Sequence, residues 1–159
     1  MKRHAMGSLW MLAWVISGPA TAQPQLVRDL EPGTEASQSL PFDLVSVGRQ
    51  VFFLNSSLGR GTELWTSDGS SQGSQLLRDL TPDGGSLSTV SPTALGDRLV
   101  FLLPDHELGQ EIWVSDGTPE GTQPLADLCP GSCWGASLIL GEAGGRVFFE
   151  SLEPEIGPR

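Results

Sequence analysis

Two loops gather a carboxylate, hydroxyls and glycines within eight residues: SDGSSQGS at 67–74 and SDGTPEGT at 115–122. Clustered oxygens of this kind suit calcium, which needs about six to eight of them. Asp68 and Asp116 are the candidate ligands. Only that one carboxylate recurs, however, because Glu120 of the second loop answers to Gln72 of the first. An Asp-Gly turn explains Asp68, Gly69, Asp116 and Gly117 with fewer assumptions, the carboxylate accepting backbone N–H groups while glycine supplies a positive φ. The turn is the favoured reading, and calcium stays open as the weaker one.

Trp65 and Trp113, each two residues after a glutamate, are a second candidate, since exposed indoles stack on sugars and aromatic ligands. Equivalent positions usually fill equivalent gaps in a core, and alternation in TELWTS puts Glu63 and Trp65 on one face with Leu64 and Thr66 on the other. Packing is therefore expected for both tryptophans. Cys129 and Cys133 are the two cysteines of the chain, separated by Pro-Gly-Ser. In an oxidising compartment an even count points to a disulfide, whereas a metal site would want further thiols or a nearby histidine. His106 sits in PDHELG on an expected hairpin tip, where a solvated turn is the favoured reading over a general base. The sequence has no nucleophile elbow, phosphate-binding Gly-Lys loop or His-Glu-x-x-His zinc motif. No cofactor is expected.

The elements that position these residues repeat. Trp65 and Trp113 are 48 residues apart, and Asp29, Asp79 and Asp127 are spaced by 50 and 48. VGRQVFF at 47–53, LGDRLVF at 95–101 and GGRVFFE at 144–150 recur in the same order. A period of about 40 to 50 residues belongs to propeller blades or helical solenoids. Strand-length apolar segments decide for the former: FDLVSV, QVFFLN, TELWTS and SQLLRDL are split by Gly48-Arg49, Gly59-Arg60-Gly61 and Asp68-Gly69. The expected fold is all-β, a partial β-propeller-like array of four-stranded antiparallel blades with about two and a half repeats of roughly 48 residues.

Glu63-Leu64-Trp65 with Asp68-Gly69-Ser70 and Gly73-Ser74, then Glu111-Ile112-Trp113 with Asp116-Gly117-Thr118 and Gly121-Thr122, resembles the ELWxxDGT repeat of secreted bacterial proteins. Asp-Leu-x-Pro at 29–32, 79–82 and 127–130 matches the end of that repeat, although Ser70 and Ser74 stand where the family has threonine. The resemblance implies an exported, propeller-like architecture and no established catalytic activity.

Residues 1–22 read as a signal peptide: Lys2 and Arg3, an apolar run from Leu9 to Ser17, and Ala20-Thr21-Ala22 at the cleavage site. A secreted location follows, whether extracellular, periplasmic or at the cell surface, with no membrane insertion after cleavage. Beyond residue 22 seven arginines oppose 19 carboxylates, a net −12. Such a field repels phosphate backbones, so nucleic acid is not an expected partner. Residues 23–159 divide into an outer strand near 25–30, blade one near 41–80, blade two near 90–128 and an incomplete blade three near 136–159. A closed propeller needs at least about four blades, so the array is read as truncated, a fragment, or a subunit that self-associates through exposed blade faces. The expected role is a binding or surface-interaction scaffold for a protein or carbohydrate ligand. A fragment of a secreted carbohydrate-active or other hydrolytic propeller enzyme is the alternative.

Overall fold

The computed structural model describes residues 26–30, 39–57, 60–87, 90–105, 109–126, 128 and 135–151. Residues 1–22, His106, Cys129 and Cys133 fall outside them, and with them the signal peptide, the hairpin-tip histidine and the proposed disulfide. The described residues contain ten strands and no helix, hence none long and apolar enough to cross a membrane.

Strands β1 (Leu40–Val47), β2 (Gln50–Ser57), β3 (Gly61–Ser67) and β4 (Gln75–Asp79) form one antiparallel sheet in that order. Strands β5 (Thr93–Leu95), β6 (Arg98–Asp105), β7 (Gly109–Ser115) and β8 (Gln123–Ala126) form a second with the same order. Strands β9 (Ala136–Ala143) and β10 (Arg146–Ser151) make a two-stranded third. Each opening hairpin closes on a two-residue loop that begins with glycine: Gly48 at φ 60, Gly96 at φ 61 and Gly144 at φ 61. A side chain would resist that φ, which is why glycine opens all three loops. The ladders also slip at matched places, between Leu64 and Trp65 in one sheet and between Ile112 and Trp113 in the other. Two non-glycine residues with positive φ, Asp43 at 50 and Ser91 at 49, stand 48 positions apart.

Alternation along β3 and β7 divides the core. Leu64, with Phe52 and Leu54 of β2, joins Leu99, Phe101, Leu103 and Trp113 of the second sheet in one apolar cluster. Val100, Leu102, Ile112 and Val114 face the other way and meet Ala136 and Ile139 of β9. Trp65 and Phe53, on the opposite face of the first sheet, pack with Leu30 and Val51. In each four-stranded sheet the tryptophan thus points back along the chain and the residue before it points forward. Both faces are covered because a neighbouring sheet or segment packs on each, and each Leu or Phe so buried stabilises by roughly 1.5–3 kcal/mol.

Where an outer strand is expected near 25–30, residues 26–30 run without a ladder among the described residues. The equivalent strands β4 and β8 pair with β3 and β7, and no such neighbour offers an edge to 26–30 among the described residues. Arg28 instead anchors the segment, its Nη1 donating to the carbonyls of Ser71, at 3.2 Å, and Ser74.

Candidate functional site

The two Asp-Gly loops are built alike. Asp68 Oδ1 accepts the Ser70 N–H at 2.9 Å and the Ser70 hydroxyl at 2.7 Å. Ser70 Oγ in turn accepts Gly73 N at 2.9 Å, and Ser74 Oγ donates to Ser70 O at 2.7 Å. In the second loop Asp116 Oδ1 accepts Thr118 N at 3.0 Å and Thr118 Oγ1 at 2.7 Å, Thr118 Oγ1 accepts Gly121 N at 3.0 Å, and Thr122 Oγ1 donates to Thr118 O at 2.7 Å. A buried hydroxyl pair closes each loop at its base, Ser67 with Ser74 and Ser115 with Thr122, both at 2.7 Å. Gly69 and Gly117 take φ 89 and 90. Gly73 and Gly121 answer a different need, since a Cβ there would lie 1.9 and 2.0 Å from the aspartate Oδ1.

Those bonds favour the charged carboxylates. The Ser70 hydroxyl, then the Ser70 N–H, hold Asp68 below its ordinary value of 3.8. Thr118 does the same for Asp116 through its hydroxyl and then its N–H, with a smaller contribution from the Arg98 charge. Both aspartates are exposed, yet in each one oxygen already serves two donors. Among the described residues no group of three or more histidines, cysteines and carboxylates is placed to hold a metal ion. Asp68 and Asp116, the calcium candidates, each close a turn through Oδ1 in this geometry.

Both tryptophans lie inside, Trp65 at 5% exposure and Trp113 at 2%. Each carries an arginine against its ring: the Arg28 guanidinium is 5.8 Å from the Trp65 centroid and that of Arg78 is 4.4 Å from the Trp113 centroid. These arginines had no part in the sequence reading. Their signal was present, since each precedes an aspartate of the Asp-Leu-x-Pro landmark, Arg28-Asp29 and Arg78-Asp79. Cation–π attraction of this kind contributes about 0.5–1 kcal/mol at exposed sites and more when desolvated.

A cleft of about 360 Å³ opens where the connection after β4 passes the end of β6. Arg78, Asp79 and Asp83 bring charge to it, while Leu87, Leu103 and Pro104 supply an apolar wall. Much of its polar rim is already engaged: Asp79 Oδ1 accepts Thr81 N at 3.0 Å, and Thr81 Oγ1 donates to Gly85 O at 2.8 Å and accepts Thr62 N at 2.6 Å. The Asp79 carboxylate and the Thr81 hydroxyl are thus tied to the backbone around them. Glu63 and Glu111, both buried, also belong to packing rather than to a solvent-facing acid pair.

The class defined by these features is an all-β protein of antiparallel sheets, two of them four-stranded. No family model matches the chain, and neither a curated protein nor a solved structure matches it.

Proposed function

We propose that the chain is an exported repeat module of the ELWxxDGT type, which serves as a binding or surface-interaction scaffold for a protein or carbohydrate ligand. Its sheets are then consecutive blades of a partial β-propeller-like array. The observation that carries this reading is the matching of the two Asp-Gly loops bond by bond. Residues of the kind that do chemistry are engaged internally: Asp68 and Asp116 hold equivalent turns, and the rings of Trp65 and Trp113 are buried in the cores. A catalytic centre would need a set of unlike residues converging at like positions, and the Asp-Gly loops instead repeat the same bonds.

The test is expression of the full chain in a bacterial host, with N-terminal sequencing of the exported form. Its mature form is then applied to arrayed glycans and surface proteins and assayed against chromogenic glycosides. Export with a new terminus at Gln23, and saturable binding without turnover, support the scaffold. Retention in the cytoplasm with Met1 intact, or glycoside turnover that Glu63→Gln or Glu111→Gln abolishes, overturns it.

A further inference from the structure

The two Asp-Gly loops share their internal bonds and differ in what lies against them. Gly117 is buried, its carbonyl accepts Gln75 Nε2 of the first sheet at 2.9 Å, and a Cβ on it would lie 2.4 Å from Gln50 Oε1. Two glutamines of one sheet thus hold the Asp116-Gly117 bond of the next. Asp68 and Gly69 are both exposed. Arg28 Nη1 reaches their loop further along, at the carbonyls of Ser71, at 3.2 Å, and Ser74. The closing hydroxyls differ as well. Thr118 and Thr122 of the second loop are β-branched and restricted in rotamer, whereas Ser70 and Ser74 of the first are not.

An Asp-Gly bond carries a reaction of its own, because glycine has no side chain to shield its nitrogen. That nitrogen attacks the aspartate Cγ, a new N–Cγ bond forms, the nitrogen gives up its proton, and the carboxyl hydroxyl leaves as water. Water then opens the cyclic imide at either carbonyl. One opening restores aspartate; the other leaves isoaspartate, with the chain running through Cγ and one methylene added to the backbone. The water lost in the first step is regained in the second, so no further reactant enters. In both loops the attack requires the aspartate Oδ1 to release its two donors. The glycine N–H must also leave the Ser67 or Ser115 hydroxyl, to which it donates at 3.1 and 3.2 Å. In the second loop alone the same movement breaks the Gln75 bond and drives Gly117 against Gln50.

We propose that Asp68-Gly69 is a modification site, at which the folded protein accumulates isoaspartate, and that the first sheet protects Asp116-Gly117 from the same reaction. One additional hydrogen bond to be broken slows a rate about two- to tenfold. The product cannot keep the Asp68 turn, because a carboxylate displaced by one methylene no longer meets the Ser70 N–H and hydroxyl together. The Ser71 and Ser74 carbonyls shift with the loop, which loosens residues 26–30 from the first sheet.

The experiment incubates the full chain, folded, in mildly acidic buffer beside a sample unfolded in guanidinium. Peptide mapping with electron-transfer fragmentation tells isoaspartate from aspartate at each bond. The unfolded sample supplies the intrinsic rates by which the folded ones are divided. After that correction isoaspartate is expected at residue 68 about two- to tenfold faster than at 116. Gln75→Ala should raise the rate at 116 by a similar factor, and Gln50→Ala makes the same test from the other contact if the first variant does not fold. Equal corrected rates, a faster reaction at 116, or a folded protein unmodified at 68 while the unfolded chain is converted overturns the proposal. An unchanged rate at 116 in the folded glutamine variant overturns the protective role of the first sheet.

Discussion

Glu63 and Trp65 in the first sheet, and Glu111 and Trp113 in the second, are the same residue types at the same strand positions, yet they are bonded differently. Trp65 Nε1 donates to Glu63 Oε2 at 3.0 Å. Among the described residues Trp113 Nε1 and Glu111 Oε1 are buried without partners, and Glu111 Oε2 accepts Leu128 N at 3.0 Å instead. The cause lies one residue upstream. In the first sheet the Thr62 hydroxyl accepts Leu87 N at 3.0 Å, which leaves Thr62 O for Leu80 N at 2.9 Å and Glu63 for the indole. In the second sheet Gln110 stands in place of Thr62, and its long side chain reaches Ala136 O at 2.9 Å. Gly135 N then takes Gln110 O at 3.1 Å, Leu128 N turns to Glu111, and the indole is left over. Gly135 suits this arrangement, since a Cβ there would lie 2.5 Å from Glu111 Oε1. A conserved-looking pair of residues therefore does not guarantee a conserved bond; the acceptor left vacant by the neighbours decides it.

The largest effect separating the sheets should come from Trp113→Ala. That ring is tilted against Phe101 with centroids 6.3 Å apart, lies under Arg78 and belongs to the cluster joining two sheets. Urea unfolding should register a loss of about 3–5 kcal/mol. Trp65→Ala, in the smaller cluster with Phe53, should cost less, and an equal cost would remove the distinction between the two cores.

Gly73→Ala and Gly121→Ala should each cost more than about 1 kcal/mol, because the new methyl group collides with the aspartate that closes the loop. Here the two sheets should respond alike, and a large difference would break the equivalence of the turns.

Smaller and more telling is the replacement of each indole by a benzene ring. Trp65→Phe strands the Glu63 oxygen, while Trp113→Phe removes a donor that has no acceptor. The first should cost about 1 kcal/mol more than the second. The converse change, Gln110→Thr, should raise stability by up to about 1 kcal/mol and slow exchange of the Trp113 indole proton, as Glu111 is released toward it.

The smallest effect is in pH. Asp68 and Asp116 have lowered values in the fold, so their contribution is complete above the ordinary value of 3.8 and is lost as pH falls through the lowered one. The melting temperature should drop on acidification below that ordinary value, and Asp68→Asn with Asp116→Asn should flatten the slope.

Much of the architecture was legible in the chain. The strand segments, the glycine-led hairpins, the Asp-Gly turns and the two-faced TELWTS strand were all expected from local pattern, and the described strands fall on those segments. The segment 26–30 shows what local pattern leaves out, since a strand is only half specified by its own residues and also needs an edge to pair with. Arg28 and Arg78 were overlooked because their partners, Trp65 and Trp113, lie 37 and 35 residues downstream in the next sheet.

By itself the sequence determined what closes within a few residues: alternation sets which side chain faces which side, and Asp, Ser or Thr, and Gly at fixed offsets complete a turn using bonds no longer than the loop. Only the tertiary structure decided the partners of Glu63 and Glu111, the stacking of the two arginines and the exposure of Phe148 and Phe149 on β10. These depend on groups brought together from distant segments, where a buried donor takes whichever acceptor its neighbours have left and an apolar ring is covered only if another segment packs over it.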